Sequence, residues 1–148
     1  MPSTKPITDA LKAVLLEVDG IDHVVVQLGK QGGTYEKDQA RIRRRGGAKI
    51  MSYGSHRWEG HKFELLIIIG TSTPDRREKE EIAEERMDEV IDLLESKRHA
   101  TLGGVVSNVH VSSDGDRDGT GEYLLDSKGS YAAAMLVVET NRLVANNA

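Results

Sequence analysis

The chain has no cysteine and few aromatic residues: one tryptophan, one phenylalanine and four tyrosines in 148 residues. The missing cysteine excludes disulfides, thiol catalysis and every Cys-based zinc or iron–sulfur site. With aromatics at 4%, the core has to be built from aliphatic side chains. No apolar run approaches the ~18 residues needed to cross a bilayer. The opening MPSTKPITD lacks the apolar centre of a signal peptide, so a soluble protein kept in a cytosol is the expectation. Charge of one sign is also lacking. The net charge of -4 gives no general reason to expect nucleic acid or an anionic membrane as partner. The length is that of one domain able to bury a sizeable core.

What the chain does have is clearest from Lys62 to His99. Leu65 to Ile69 are five apolar residues in a row, three of them isoleucine, closed by Gly70. So short a β-branched run reads as a buried strand. A helix follows. Thr73 is its expected cap, Pro74 its first residue, and Asp75, Glu78, Glu80 and Glu81 crowd its early turns. Lys97, Arg98 and His99 close it in the sense the helix dipole favours. Ala83, Met87, Val90, Ile91 and Leu94 form one apolar stripe.

Taken in order, residues 1–6 read as an arm and 7–18 as a short amphipathic helix, with Ile7, Leu11, Val14, Leu15 and Val18 at helical spacing. His23 to Leu28 reads as a strand. Gly29 to Gly47 changes composition, with many glycines and the basic cluster Arg41, Arg43, Arg44 and Arg45, and is expected to be a long loop or, in part, a hairpin arm. Ala48 to Tyr53 reads as a short strand, and Trp58 as part of a turn or strand start. Val105 to Ser112 alternates as a half-buried strand does. Ser113 to Lys128 is expected as a polar loop, Ser130 to Thr140 as the last strand, and 141–148 as a tail. The order predicts a single α+β domain: a mixed, largely antiparallel β-sheet packed by two helices, with long loops or hairpin arms.

Few constellations carry chemistry. Asp114, Asp116 and Asp118, followed by Gly119, resemble the start of an oxygen-coordinating calcium loop. The twelfth position, where that loop needs glutamate, is Leu125, and the flanks read as strands. A solvated turn explains the same residues. His56 and His61 lack the helical spacing of a zinc pair. GKQGG at residues 29–33 precedes no apolar helix, so a phosphate loop is not supported. Neither a catalytic group nor a cofactor is expected. The arginines admit two readings: a solvated loop, or a contact to phosphate or an acidic protein surface, for which the guanidinium fork is suited. The acidic face of the long helix (Glu80, Glu81, Glu84, Glu85, Asp88) is its solvent side, or in an oligomer the surface that meets a neighbour's basic loop.

One resemblance joins these features. A short first helix, a strand, a variable region, FELLIIIGTS, an acidic helix ending LLESKRH, and two further strands including SYAAAMLVVET resemble the tail-terminator proteins of long-tailed (siphovirus- and myovirus-type) bacteriophages. The likeness is strongest from Phe63 to Val138 and lies in layout, because the family has no invariant motif. It implies a non-enzymatic virion protein, found in the tail or neck and in the host cytoplasm during assembly. It implies a homo-hexameric ring that caps the tail tube, ends its polymerisation and joins the tube protein to the head–tail connector or stopper. DNA would pass the lumen without sequence-specific binding. A ring needs two different patches that meet. Arg41, Arg43, Arg44 and Arg45 on one side, and Asp114, Asp116 and Asp118 on the other, are the expected partner-binding residues. Another neck or tail-tube component, or a small calcium-binding domain, remains the alternative.

Overall fold

The computed structural model describes residues 4–27, 38–70, 76–111, 121–124 and 130–145. Among these residues, two helices and six strands run in the order α1 (Lys5–Leu16), β1 (Val24–Gln27), β2 (Gln39–Tyr53), β3 (His56–Ile69), α2 (Arg76–Glu95), a 3-10 turn (Lys97–His99), β4 (Asn108–Val111), β5 (Gly121–Leu124) and β6 (Ser130–Ala145). The strands form one mixed sheet in the order β1-β2-β3-β6-β4, with β5 also on β6. Among the described strands only the β1–β2 pair is parallel. The fold is α+β.

Helix α1 forms where the apolar spacing predicts it. Ile7, Leu11, Val14 and Leu15 are buried on one side. It begins two residues earlier than expected, because Pro6 is tolerated in the first turn, where its missing N–H has no intrahelical partner to lose. The carbonyl of Thr4 accepts from the amides of Ile7 and Thr8. Helix α2 buries Ala83, Met87, Val90 and Leu94. Lys97, Arg98 and His99 lie just beyond it, in the 3-10 turn. There Arg98 and His99 pair with Glu17, His99 Nε2 lying 2.7 Å from its Oε2, which ties the end of α2 to the end of α1. The proposed cap Thr73 lies outside the described residues.

Both helices cover one face of the sheet. That face supplies Val24, Ala40, Ile42, Phe63, Leu65, Ile67, Ile69, Ala132, Ala134, Leu136 and Val138 to a single core with the helix residues. Period-two alternation assigns these positions to one side. Burying the Val, Leu, Ile and Phe side chains among them is worth roughly 1.5–3 kcal/mol each. Helix α2 is tied to the end of the sheet by Arg86, which donates to Asp38 Oδ2 at 3.1 Å just before β2, while Asp38 Oδ1 accepts from the amide of Gly70, just after β3, at 2.9 Å. Gly20 has φ +88, and a Cβ there would lie 2.5 Å from Arg86 Nη2.

Four expectations are corrected. Ser113–Lys128 is not all loop, since Gly121–Leu124 is strand β5, paired with β6. Gly29–Gly47 is not all loop: from Gln39 onward it is the first half of a 15-residue strand. Gly46 and Gly47 fall where β2 has two residues more than β3, since Arg45 faces Lys62 and Lys49 faces Gly60. They mark a bulge, a common place for glycine in a strand. Residues 141–145 are not tail but the last part of β6, paired with β3 as far as His56 opposite Ala145. Val105 to Ser107 form turns, and strand β4 starts only at Asn108. There the Ser107 amide donates to the Asn141 carbonyl at 2.7 Å. Leu102, Gly103 and Gly104 all have positive φ in this turn, which breaks the alternation that Val105 and Val106 suggested.

Candidate assembly surface

Strands β2, β3 and β6 are longer than the core they serve. Phe63 is the last core position of β3, and the strand continues outward to His56. Seven residues at ~3.3 Å each extend the three strands about 23 Å past the core. The extension is closed at its tip by a two-residue turn, Gly54–Ser55, in which Gly54 takes φ +57. This arm is the hairpin reading of the basic region, made broader by β6.

The four arginines of β2 do not form one patch. Arg41, Arg43 and Arg45 alternate with Ile42 and Arg44, so three lie on the face away from the helices and Arg44 on the helix side. Arg41 is only 4% exposed, and its Nε donates to Gln39 Oε1 at 3.0 Å. Arg43 Nε donates to Glu64 Oε2 at 2.7 Å, and Arg45 Nε lies 3.7 Å from Glu64 Oε1. Arg44 and Arg45 are exposed. Thus the sheet joins Arg43 and Arg45 through Glu64, a residue that the sequence alone does not single out. Asp114, Asp116 and Asp118 lie outside the described residues.

The arm also holds a buried ionic cluster that sequence reasoning missed. Going outward from Phe63 on the helix-side face, the apolar positions give way to His61 and Glu59 on β3 and to Thr140 and Arg142 on β6. Glu59 Oε1 accepts from Arg142 Nε and Nη2, at 3.1 and 3.0 Å, and from His61 Nε2 at 3.0 Å. Its Oε2 accepts from Arg57 Nε at 2.7 Å. Burial raises the pKa of Glu59, but the hydrogen bonds from His61, Arg57 and Arg142 outweigh it and lower the value from 4.5 to about 2. A carboxylate only accepts, so His61 carries its proton on Nε2, and its buried Nδ1 has no partner among the described residues. The alternation of Arg57, Glu59 and His61 was visible in the sequence. The fourth member, Arg142, is hidden in the sequence because the apolar run of the last strand stops before Thr140.

The opposite face of the arm is apolar at its end. Met51, Trp58 and Leu143 are register partners across the three strands and form one rung. Met51 is 45% and Leu143 52% exposed. Together with Ile50 they make three of the four exposed large hydrophobic residues among those described, the fourth being Leu16. Two rungs inward on the same face lie Arg45 and Lys62, both exposed.

No family model matches this chain, and no curated protein matches it. Among solved structures it is similar to a chain of the virion of a native gene transfer agent particle. The TM-score is 0.44 at 16% identity, covering 91% of this chain and 90% of that one.

Proposed function

We propose that this chain is a virion structural protein of a long-tailed phage-type particle and acts as its tail terminator. It forms a homo-hexameric ring on the last ring of the tail tube, ends tube polymerisation and offers the surface on which the head–tail connector or stopper seats. DNA passes through the ring without sequence-specific contact. The observation that carries the reading is the arm. Three long strands leave the helix-covered core with exposed arginines and an exposed apolar rung, a form suited to holding neighbours. The order of elements adds to this, because it resembles that family from the first helix to the last strand. Within the ring, Arg43, Arg44 and Arg45 and the segment with Asp114, Asp116 and Asp118 belong to the contacts between different patches of adjacent subunits.

The test is negative-stain imaging of the purified chain, alone and with tail tubes assembled without it. Six-fold rings at one end of each tube, and a narrow distribution of tube lengths, are expected. Replacing Arg43, Arg44 and Arg45 with alanine should leave the subunit folded and impair capping. Decoration along the whole tube would make it a tube component instead. A chain that neither binds tubes nor changes their length removes the proposal.

A further inference from the structure

We infer that the end of the arm docks on the outward face of helix α2 of a second copy of this chain, with the Met51–Trp58–Leu143 rung covered and Arg45 and Lys62 set against α2 carboxylates. The inference rests on the ring reading for its occupant, and it names the two patches that such a ring would join.

Charge is the first argument. The sequences of β2 and β3 hold seven Lys or Arg and two Glu. Both glutamates are engaged inside the arm, Glu59 by Arg57, His61 and Arg142, and Glu64 by Arg43 and Arg45. On the face away from the helices these two strands therefore offer cations, Arg45 and Lys62, both exposed, with the half-buried Glu139 of β6 opposite Lys62. Helix α2 has the opposite balance, nine Asp or Glu and four Lys or Arg. Two of its cations are turned inward, Lys79 at 3% exposure and Arg86 at Asp38. Glu81, Glu84, Glu85, Asp88, Asp92 and Glu95 are exposed. They recur three or four residues apart, so they share one side of the helix over about 21 Å.

The second argument is geometry. β3 and β6 stay in unbroken register from Ile69 to His56. Trp58 therefore points to the side opposite Phe63 and Leu65, which face the helices. The chain's own α2 lies across the sheet from the rung and cannot cover it. A second copy can, and its acidic helix meets the basic rung two positions inward. Apolar side chains at the centre supply most of the affinity in such a contact, and the charges supply register and rate. Arm and helix are different patches, so the contact runs head to tail and generates a ring or a filament, not a two-fold dimer.

Trp58 is the only tryptophan, so its fluorescence reports on the rung. The experiment is sedimentation velocity of the full chain over a concentration series, at low and high salt, with Trp58 emission recorded on the same samples. Self-association that weakens with salt and shifts Trp58 emission to the blue is expected. Met51→Glu with Leu143→Glu should weaken association by roughly tenfold or more, as should Arg45→Glu with Lys62→Glu. Adding Glu85→Lys and Asp88→Lys to the second pair should restore it, while the far-ultraviolet dichroism of every variant stays that of the parent. A chain that remains monomeric throughout overturns the inference. So does association with unchanged Trp58 emission, or charge reversal that the helix changes do not rescue. Binding of duplex DNA that is lost in the arm variants while self-association persists overturns it in favour of nucleic acid. Rings on tubes that survive the arm variants would reject this contact and leave the terminator reading intact. Rescued association without any effect on tubes would do the reverse.

Discussion

Strands β3 and β6 each pass through two environments, and the comparison is instructive because the backbone is the same in both. Between Phe63 and Ile69 the helix-side positions are Phe63, Leu65, Ile67 and Ile69, packed against α1 and α2. Between His56 and His61 the same side carries Arg57, Glu59 and His61, with Arg142 and Thr140 opposite. The first half is held by burial, which is non-directional and tolerant of side-chain shape. The second is held by a carboxylate that four donor groups surround, which is directional and intolerant of loss. A ladder of backbone hydrogen bonds runs through both, so the sheet is continuous while the source of its side-chain stability changes at Phe63.

Four substitutions and one change of condition probe that contrast, from the largest effect down. Phe63→Ala should destabilise the chain by about 3–5 kcal/mol, the usual cost of emptying a fully buried aromatic site. Urea denaturation measures it, and a cost under ~1 kcal/mol would mean that the last core rung carries little. Glu59→Ala should cost about 3–5 kcal/mol as well, because it leaves Arg142, Arg57 and His61 without their shared acceptor. Unlike the core change, its effect should be partly recovered by also replacing Arg142 with methionine, and a double-mutant cycle reads that coupling.

Acid probes the same carboxylate without mutation. Its pKa falls from 4.5 in the unfolded chain to about 2 in the folded one. Its contribution is therefore fully present above about pH 4.5 and disappears as the pH falls toward 2. The loss is on the order of 3 kcal/mol. Melting curves across this range should show a steeper fall for the parent chain than for Glu59→Gln, and equal slopes would deny Glu59 its role.

Gly20→Ala should cost about 1–2 kcal/mol, the penalty for a side chain in left-handed backbone. The added methyl also displaces Arg86 from its place beside Asp38. At the small end, Leu143→Ala on the exposed face of the arm should leave the stability of the isolated subunit within about 0.5 kcal/mol. The same change is then free to report on assembly alone.

The parts of the fold that burial organises were legible. The spacing of Ile7, Leu11, Val14 and Leu15, the run Leu65 to Ile69 and the stripe on α2 are periodic because one side of each element faces the core. The arm has no such signal. Over Arg41 to Arg45 the helix side holds Ile42 and Arg44 and the other side three arginines, and one apolar residue is too little to show a period of two. Gly46 and Gly47 look like loop residues because a bulge and a loop need the same backbone freedom. Asn141 to Ala145 look like a tail because their partner strand, not their own hydrophobicity, makes them a strand. The arginines were recognised as a group, but their separation into a buried member, two that share Glu64 and one on the other face depends on register. The cluster around Glu59 was out of reach for the same reason: Arg142 is 83 residues away along the chain and adjacent only in the sheet.

The unbroken register of β3 with β6, from Ile69 opposite Ala132 to His56 opposite Ala145, also has a mechanical meaning. A pull on the end of the arm runs along the strands, so it loads the ladder in shear. The hydrogen bonds then share the load together, whereas in peeling they would break one after another. Because the inner end of that ladder is the core itself, a force applied to the arm by whatever it grips is borne by the whole domain. The arm works as a rigid lever fixed in the body of the protein, not as a tether hung from it.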